Sequence, residues 1–431
     1  MTEAFLHYVW KHQLIDKSGL QTVDGQSIEI LKPGDHNSDG GPDFFNAQLK
    51  IDGILWAGNI EIHLKSSDWN KHDHEADAAY DNCVLHVVYE HDEAVKTSAG
   101  MVLPSLELKN KFPAQLWENY EHLLESTAPL PCYPGILEVD EIIKHSCLDR
   151  MASERLERKT REIFSILHFC KSDWEETFYI LLARNFGFRI NAQPFEMLAR
   201  SLPLKIIRMN NNRLVLVEAL LFGQSGLLDE DRNDEYPVRL KAEYIHLRNK
   251  YQLQQIESSS WKLLRLRPGN FPCIRLAQFA QLLHQHPKLF SSVLELQTIE
   301  EVHAFMRVAA SGYWDDHFLF DRRSEKSLKS MGHHSIDNIL VNAIAPALFA
   351  WGAWNGSAIH RERALYFLEK LPPEDNIQIR NWASYGMRAE SALHSQALLH
   401  LGKEYCALKN CLSCNIGSKI INLHDESPAI G

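Results

Sequence analysis

The sequence predicts an α+β chain: an N-terminal domain of order αβββαβ, followed by a larger all-α domain. Three observations carry this. The hydrophobic period switches repeatedly between strand-like and helix-like over the first 110 residues, it settles to three- and four-residue intervals later, and the breaker-rich stretch TAPLPCYPG separates the two regimes. The expected organisation is an α/β domain over residues 1–128, a linker over 129–136, and a helical domain over 137–431 that carries a C-terminal cysteine cluster.

Within the first domain, AFLHYVWKHQL suits a short helix and SIEILKPG a strand. FNAQLKID and ILWAGNIEIHLK form a hairpin pair across Asp52-Gly53, a two-residue turn signal. EADAAYDN then predicts a helix, and CVLHVVYEHD and GMVLPSLELK two further strands. Beyond PAQLWENYEHLLES and the linker, segments such as DWEETFYILLARNFG and YPVRLKAEYIHLRNKY read as amphipathic helices. SIDNILVNAIAPALFAWGAW is apolar on most faces, but Asp337, Asn338, Asn342 and Pro346 interrupt it, so a buried core helix is expected rather than a membrane span.

Composition is ordinary for a globular chain, with 45% hydrophobic and 23% charged residues. The start lacks the basic and apolar regions of a signal peptide, which leads to the expectation of a cytoplasmic protein with no membrane association. The net charge of −11 is unevenly spread: residues 1–150 hold 11 Lys+Arg against 25 Asp+Glu, whereas residues 151–330 hold 26 against 22. A metal site tolerates such acidity because divalent cations offset carboxylates, and phosphate binding then falls to the middle region. There is no P-loop, dinucleotide fingerprint or GxSxG, and Gly223 and Gly226 in LFGQSGLL read as helix termination.

The chemistry concentrates in GPDFFNAQLKIDGILWAGNIEIHLKSSDW. On a strand, residues two apart share a face, so Glu61, His63 and Lys65 project together while Ile60, Ile62 and Leu64 enter a core. Asp43 and Glu61, from adjacent strands, could hold Mg²⁺ or Mn²⁺, with His63 or Lys65 assisting a water. Register decides this. A two-residue turn at Asp52-Gly53 sets Asp43 opposite Ile62, on the wrong side of the sheet, whereas a three-residue loop or one bulge near Gly58 brings it opposite His63. His72, His74, His86 and His91 lie in the same region as further imidazole donors, although His86 reads first as a core residue and His72 and His74 as exposed loop residues.

Pro42-Asp43, Glu61 and Lys65 within this element order resemble the restriction-endonuclease-like superfamily, whose signature is PD-(D/E)xK. The likeness covers about the first 110 residues and implies a mixed sheet, Mg²⁺ or Mn²⁺, DNA or RNA as partner, and an added carboxylate from Glu3 on the first helix. Glu61-x-His63-x-Lys65 leaves two assignments open, with His63 standing for the lysine or for the carboxylate. Over its full length the chain also resembles a bacterial family catalogued as a domain of unknown function, through GPDF, GNIEIHLKSSDW, LHVVYEHD and CLSCNIG.

Cys406, Cys411 and Cys414 form a C-x4-C-x2-C run, and a fourth ligand from Cys132, or from His400, would complete a zinc or iron–sulfur site. Some members of the nuclease superfamily hold an iron–sulfur cluster with a similar arrangement, the lone cysteine there preceding the core rather than following it. Cys83, Cys147, Cys170 and Cys273 read as core thiols. Lys262, Arg265, Arg267 and Arg275, with Trp261 and Phe271 interleaved, suit a nucleic-acid strand, or alternatively join helices. The leading expectation is a metal-dependent nuclease; the alternatives are a non-catalytic scaffold or binding protein of the same fold and a metal-dependent hydrolase of a different substrate.

Overall fold

The computed structural model describes residues 1–423. It divides into two compact units: residues 1–147 together with the segment from Leu401, and residues 148–400. The division falls at Cys147–Leu148 rather than within 129–136. The C-terminal cysteine segment groups with the first unit because Cys411, Leu412, Ile420 and Ile421 pack into its core beside Tyr8 and Tyr120.

The first unit begins with α1 (Glu3–Lys11), whose N-cap Thr2 accepts from the Phe5 amide and whose Glu3 and Lys11 suit the two ends of the helix dipole. Its apolar face, Phe5, Leu6, Val9 and Trp10, is fully buried against the sheet. The strands are β1 (Ile28–Lys32), β2 (Asp35–His36), β3 (Phe44–Ile51), β4 (Ile54–Lys65), β5 (Cys83–Glu90) and β6 (Ser105–Glu107). The sheet order is β1-β3-β4-β5-β6, with β2 also paired to β3; pairing is antiparallel up to β4 and parallel beyond. This is a mixed sheet. Asp52 and Gly53 both have positive φ, 49° and 77°, and Ile51 pairs with Ile54, so the Asp-Gly dipeptide makes the expected two-residue turn.

Two expected elements differ. EADAAYDN forms no α-helix; β4 crosses to β5 through α2 (Asp68–Lys71) and two 3-10 turns, His74–Ala76 and Ala78–Tyr80. Asp73 adopts the left-handed region (φ 59°) and the Asp77 carboxylate accepts from the Ala79 amide, so short acidic side chains divert the backbone from helical bonding. GMVLPSLELK contributes only Ser105–Glu107 to the sheet, because a turn closed by Gly100 N to Thr97 O takes up its start.

The second unit is built from helices, as its periodicity predicts, with one small hairpin, His317–Leu319 and Arg322–Arg323, beside the ring cluster of Phe222, Trp314 and Phe320. His333–Trp354 has the length and, over an 18-residue window, the mean hydropathy (1.3) to cross a membrane, but 67% of that window is buried within the fold, which marks it as a core helix.

Candidate functional site

Strand β4 separates two environments. Ile60 and Ile62 face the apolar core under α1, whereas Glu61 and His63 face the opposite side, where β5 sets His86 in register with Glu61. All three polar side chains are buried, at 5%, 1% and 0% exposure.

Asp43 reaches this face because of a β-bulge. From the turn, the β3–β4 register runs regularly from Ile51–Ile54 to Ala47–Gly58, and then Phe44 pairs with Ile60, so β3 carries one extra residue. Asn46 takes up the kink in the left-handed conformation (φ 57°), which Asn tolerates better than most residues. The parity change that the metal reading required is present, and a bulge beside Gly58 supplies it, since the register shifts directly after the Ala47–Gly58 pair. Its extra residue lies on β3, so it sets Asp43 beside Glu61 rather than opposite His63. Asp43 N donates to Glu61 Oε2 at 3.1 Å, and Ile62 N donates to Asp43 Oδ2 at 2.9 Å. Gly58 has another function: a Cβ there would lie 2.5 Å from Asn82 O and from Val84 Cγ1, so the close approach of the chain to β5 excludes a side chain.

The crossover supplies the remaining groups. Asp92 clamps its start, with Oδ1 accepting from Ser66 Oγ and Ser67 N and Oδ2 from Ser67 Oγ. Trp69 is fully buried and donates to Lys96 O, and Tyr80 stacks on His74 with centroids 3.8 Å apart. The aromatic pair holds His74 inward, where its Nε2 lies 3.3 Å from Glu61 Oε1. His63 Nε2 is 3.1 Å from His72 Nδ1, and His63 Nδ1 is 2.8 Å from His86 Nε2. Donor nitrogens of His63, His72 and His74 all lie within 4.8 Å of one another, with His63 and His74 buried and His72 exposed. Ligation through His63 Nε2 requires the proton on Nδ1, and His86 Nε2 is then its acceptor, the usual outer partner of a ligating imidazole.

Helix α1 completes the rim. His7 Nε2 lies 3.2 Å from Asp43 Oδ2, and Glu3, one turn earlier on the same face, feels the charges of His7, Asp43, His72 and Asp68. Burial, reinforced by the charges of Asp43 and Glu3, pushes Glu61 up to about 9, although the Asp43 amide opposes this. Burial and the neighbouring imidazoles push His63 down to about 2 and His86 to about 3, so both rings are neutral near pH 7. The centre therefore sets the neutral, buried rings of His63 and His86 beside crowded carboxyl groups, and its imidazole and carboxyl donors suit a divalent transition metal.

Lys65 stands apart: it ends β4 with an exposed side chain, and its backbone amide donates to Asp68 Oδ2. His91 is half-buried at the end of β5, its amide donating to Glu107. Sequence reasoning missed His7; the i,i+4 relation to Glu3 on the polar side of α1 is the signal that could have found it.

A family profile described as "Protein of unknown function (DUF2851)" matches residues 3–377. The chain belongs to the DUF2851 family. No curated protein and no solved structure matches it significantly. The matched DUF2851 region contains every group of the histidine–carboxylate centre, from Glu3 to His86, as well as Cys132, and it ends before Cys406.

Two other predicted groups complete the inventory of this DUF2851 chain. Burial raises the thiols of Cys132, Cys406 and Cys411, to about 12 for Cys132 and about 11 for Cys411; Cys414 acts on all three, and Cys132 and Cys406 also feel Cys411. In the second unit, Lys262, Arg265 and Arg267 are exposed on the loop before helix Pro272–Gln285, with Arg265 at positive φ. Arg275 differs from them. It is buried, donates to Asn270, Gln278 and Ser335, and lies over the Phe188 ring at 4.5 Å, so its guanidinium is committed within the fold.

Proposed function

We propose that the first unit is a metal-dependent phosphodiesterase of the nuclease type, acting on DNA or RNA through a metal-activated water. The observation that carries this reading is the β3 bulge, which sets Asp43 against Glu61 on the face that bears His63 and receives His72 and His74. The donor set fits Mn²⁺ or another transition cation better than Mg²⁺, which prefers an octahedron of oxygens. Such an ion supplies Lewis-acid polarisation of a phosphoryl oxygen and lowers the pKa of a ligated water.

The chain's own groups have separable roles. Asp43, Glu61, His63 and His74 form the binding set; His86 orients His63 through the Nδ1 contact; His72, the exposed imidazole of the three, exchanges protons with substrate and solvent. His7 positions the Asp43 carboxylate from α1, and Glu3 adds negative charge at the rim. Lys262, Arg265 and Arg267 offer exposed charge for phosphate contacts.

Purified full-length protein should cleave single- or double-stranded DNA or RNA with Mn²⁺, and Glu61→Gln and His74→Ala should abolish that activity. A panel of both nucleic acids with Mn²⁺, Zn²⁺, Co²⁺ and Mg²⁺ that shows no cleavage rejects the nuclease reading. A second reading, a metal-dependent hydrolase of another substrate, draws on the position two residues beyond Glu61, where neutral His63 stands in place of the cation that the resemblance expects. Hydrolysis of small phosphate or carboxylic esters, without nucleic-acid cleavage, would select it. Metal binding with no hydrolysis at all would select the non-catalytic scaffold.

A further inference from the structure

We propose that Cys132, Cys406, Cys411 and Cys414 form a four-thiolate centre for a thiophilic metal, a zinc ion or an iron–sulfur cluster, that closes the C-terminal segment onto the first unit. It is independent of the histidine–carboxylate site and shares no residue with it.

The backbone around these cysteines is arranged in two converging turns. Cys411–Ser413 is a 3-10 turn and Cys414 caps the helix Asn415–Ile421, with Cys414 N donating to Cys411 O at 3.2 Å. Two thiols three residues apart on one turn give the knuckle that wraps a soft ion. The helix closes on this turn only because residue 417 is glycine; a Cβ there would meet Cys411 O at 2.4 Å. Upstream, the chain reverses between Cys406 and Cys411: Asn410 N donates to Tyr405 O at 2.9 Å, Lys409 has positive φ, and its ammonium caps Leu124 O. The reversal brings the third thiol back toward the knuckle.

The fourth thiol arrives from a distant part of the sequence. Cys132 O accepts from Ile136 N, and the turn so formed abuts the C-terminal helix, where a Cβ added at Gly135 would meet Ile420 at 3.6 Å. Cys132 packs in the same apolar cluster as Cys411, Leu412 and Ile420. Cys132 also feels the charges of Cys414 and Cys411, and Cys406 those of Cys132, Cys414 and Cys411, which is consistent with one shared neighbourhood. Four cysteines gathered from two distant parts of the sequence into one largely buried neighbourhood are what a soft metal would draw together. Binding deprotonates the thiols and releases the protons to solvent. A cluster would additionally require iron and sulfide.

The test begins with elemental analysis and visible absorption of the full-length protein as purified. One zinc per chain, or iron with matching acid-labile sulfide and a brown colour, supports the centre and distinguishes its two forms. The metal should persist in His74→Ala and Glu61→Gln and disappear in Cys132→Ser. Because Cys132→Ser could fail to fold, alkylation of the wild-type protein gives a second readout. Native maleimide labelling should leave Cys132, Cys406, Cys411 and Cys414 protected until a chelator is added, whereas half-buried Cys170 labels with or without it. Absence of zinc and iron, disulfides among the four cysteines, or loss of the metal in the histidine-site variants would each overturn the proposal.

Discussion

Asp43 offers a paired substitution that separates structure from chemistry. Its Oδ2 accepts from the buried Ile62 amide at 2.9 Å, in the middle of β4. Asp43→Ala orphans that donor at a cost of about 1–3 kcal/mol, whereas Asp43→Asn keeps an acceptor in place. For a unit of this size each kcal/mol shifts Tm by roughly 2–4 °C, so the alanine variant should melt roughly 2–12 °C below wild type in chelator. The asparagine variant should melt close to wild type, because losing the charge also relieves Glu61, whose pKa Asp43 helps to raise. Both variants remove the carboxylate, so both should lose at least about 100-fold in Mn²⁺-dependent cleavage, equivalent to about 2.7 kcal/mol of transition-state stabilisation. Thermal melts in chelator and a cleavage time course measure the two effects separately. Equal melting of the two variants would refute the hydrogen-bond argument, and an Asp43→Asn protein within tenfold of wild-type activity would refute the ligand assignment.

Three further expectations concern the second unit. Burial raises buried Glu218 to about 7, so between its unfolded value near 4.5 and pH 7 the native state holds a proton that the unfolded state has lost. Stability of this unit should therefore fall as pH rises through that window, by on the order of 3 kcal/mol, and level off above it. Glu218→Gln should flatten the profile in denaturant titrations, and an unchanged slope would remove Glu218 as the cause. Replacing Lys262, Arg265 and Arg267 together with alanine should weaken nucleic-acid binding and reduce the salt slope by about 2–3. Arg275→Ala should instead cost roughly 2–4 kcal/mol of stability by breaking its buried hydrogen bonds. Fluorescence anisotropy across salt concentrations and urea melts distinguish these outcomes.

Periodicity and turn chemistry made much of the fold legible. The alternation in GNIEIHLK reported a strand with one apolar face, and Asp52-Gly53 reported the turn, because each is a local property of the residues concerned. Which strand carries the bulge was not legible. An extra residue at Asn46 changes the partner of Asp43 without altering the hydrophobic pattern of either strand, and Asn in the left-handed region leaves only a weak trace. The histidines were half legible for a related reason. HDHEAD is polar and reads as exposed, yet Tyr80 and Trp69 cover His74, and that cover depends on a crossover whose Asp73 and Asp77 forgo a helix. The proposed partnership of Cys132 with the C-terminal trio rests on counting ligands, since three thiolates leave one position of a tetrahedral site to fill.

His63 decides which of the two assignments open in Glu61-x-His63-x-Lys65 describes the site. It occupies the place of the motif lysine, two residues beyond Glu61, but is fully enclosed by His72, His74 and His86. An ammonium there would be desolvated and would repel a cation held by Glu61 and Asp43, whereas a neutral imidazole adds a ligand. Lys65, one strand period farther, is exposed and carries its charge in solvent. If His63 is a ligand, His63→Gln should weaken Mn²⁺ binding moderately, about tenfold, and His63→Lys should weaken it by at least about 100-fold, because the lysine adds repulsion to the lost bond. If His63 instead performs the lysine's role, His63→Lys should keep or raise activity while His63→Gln loses it. Mn²⁺ titration by calorimetry, read beside cleavage rates for both variants, gives opposite orders in the two cases, and an active His63→Lys protein would overturn the ligand role assigned to His63.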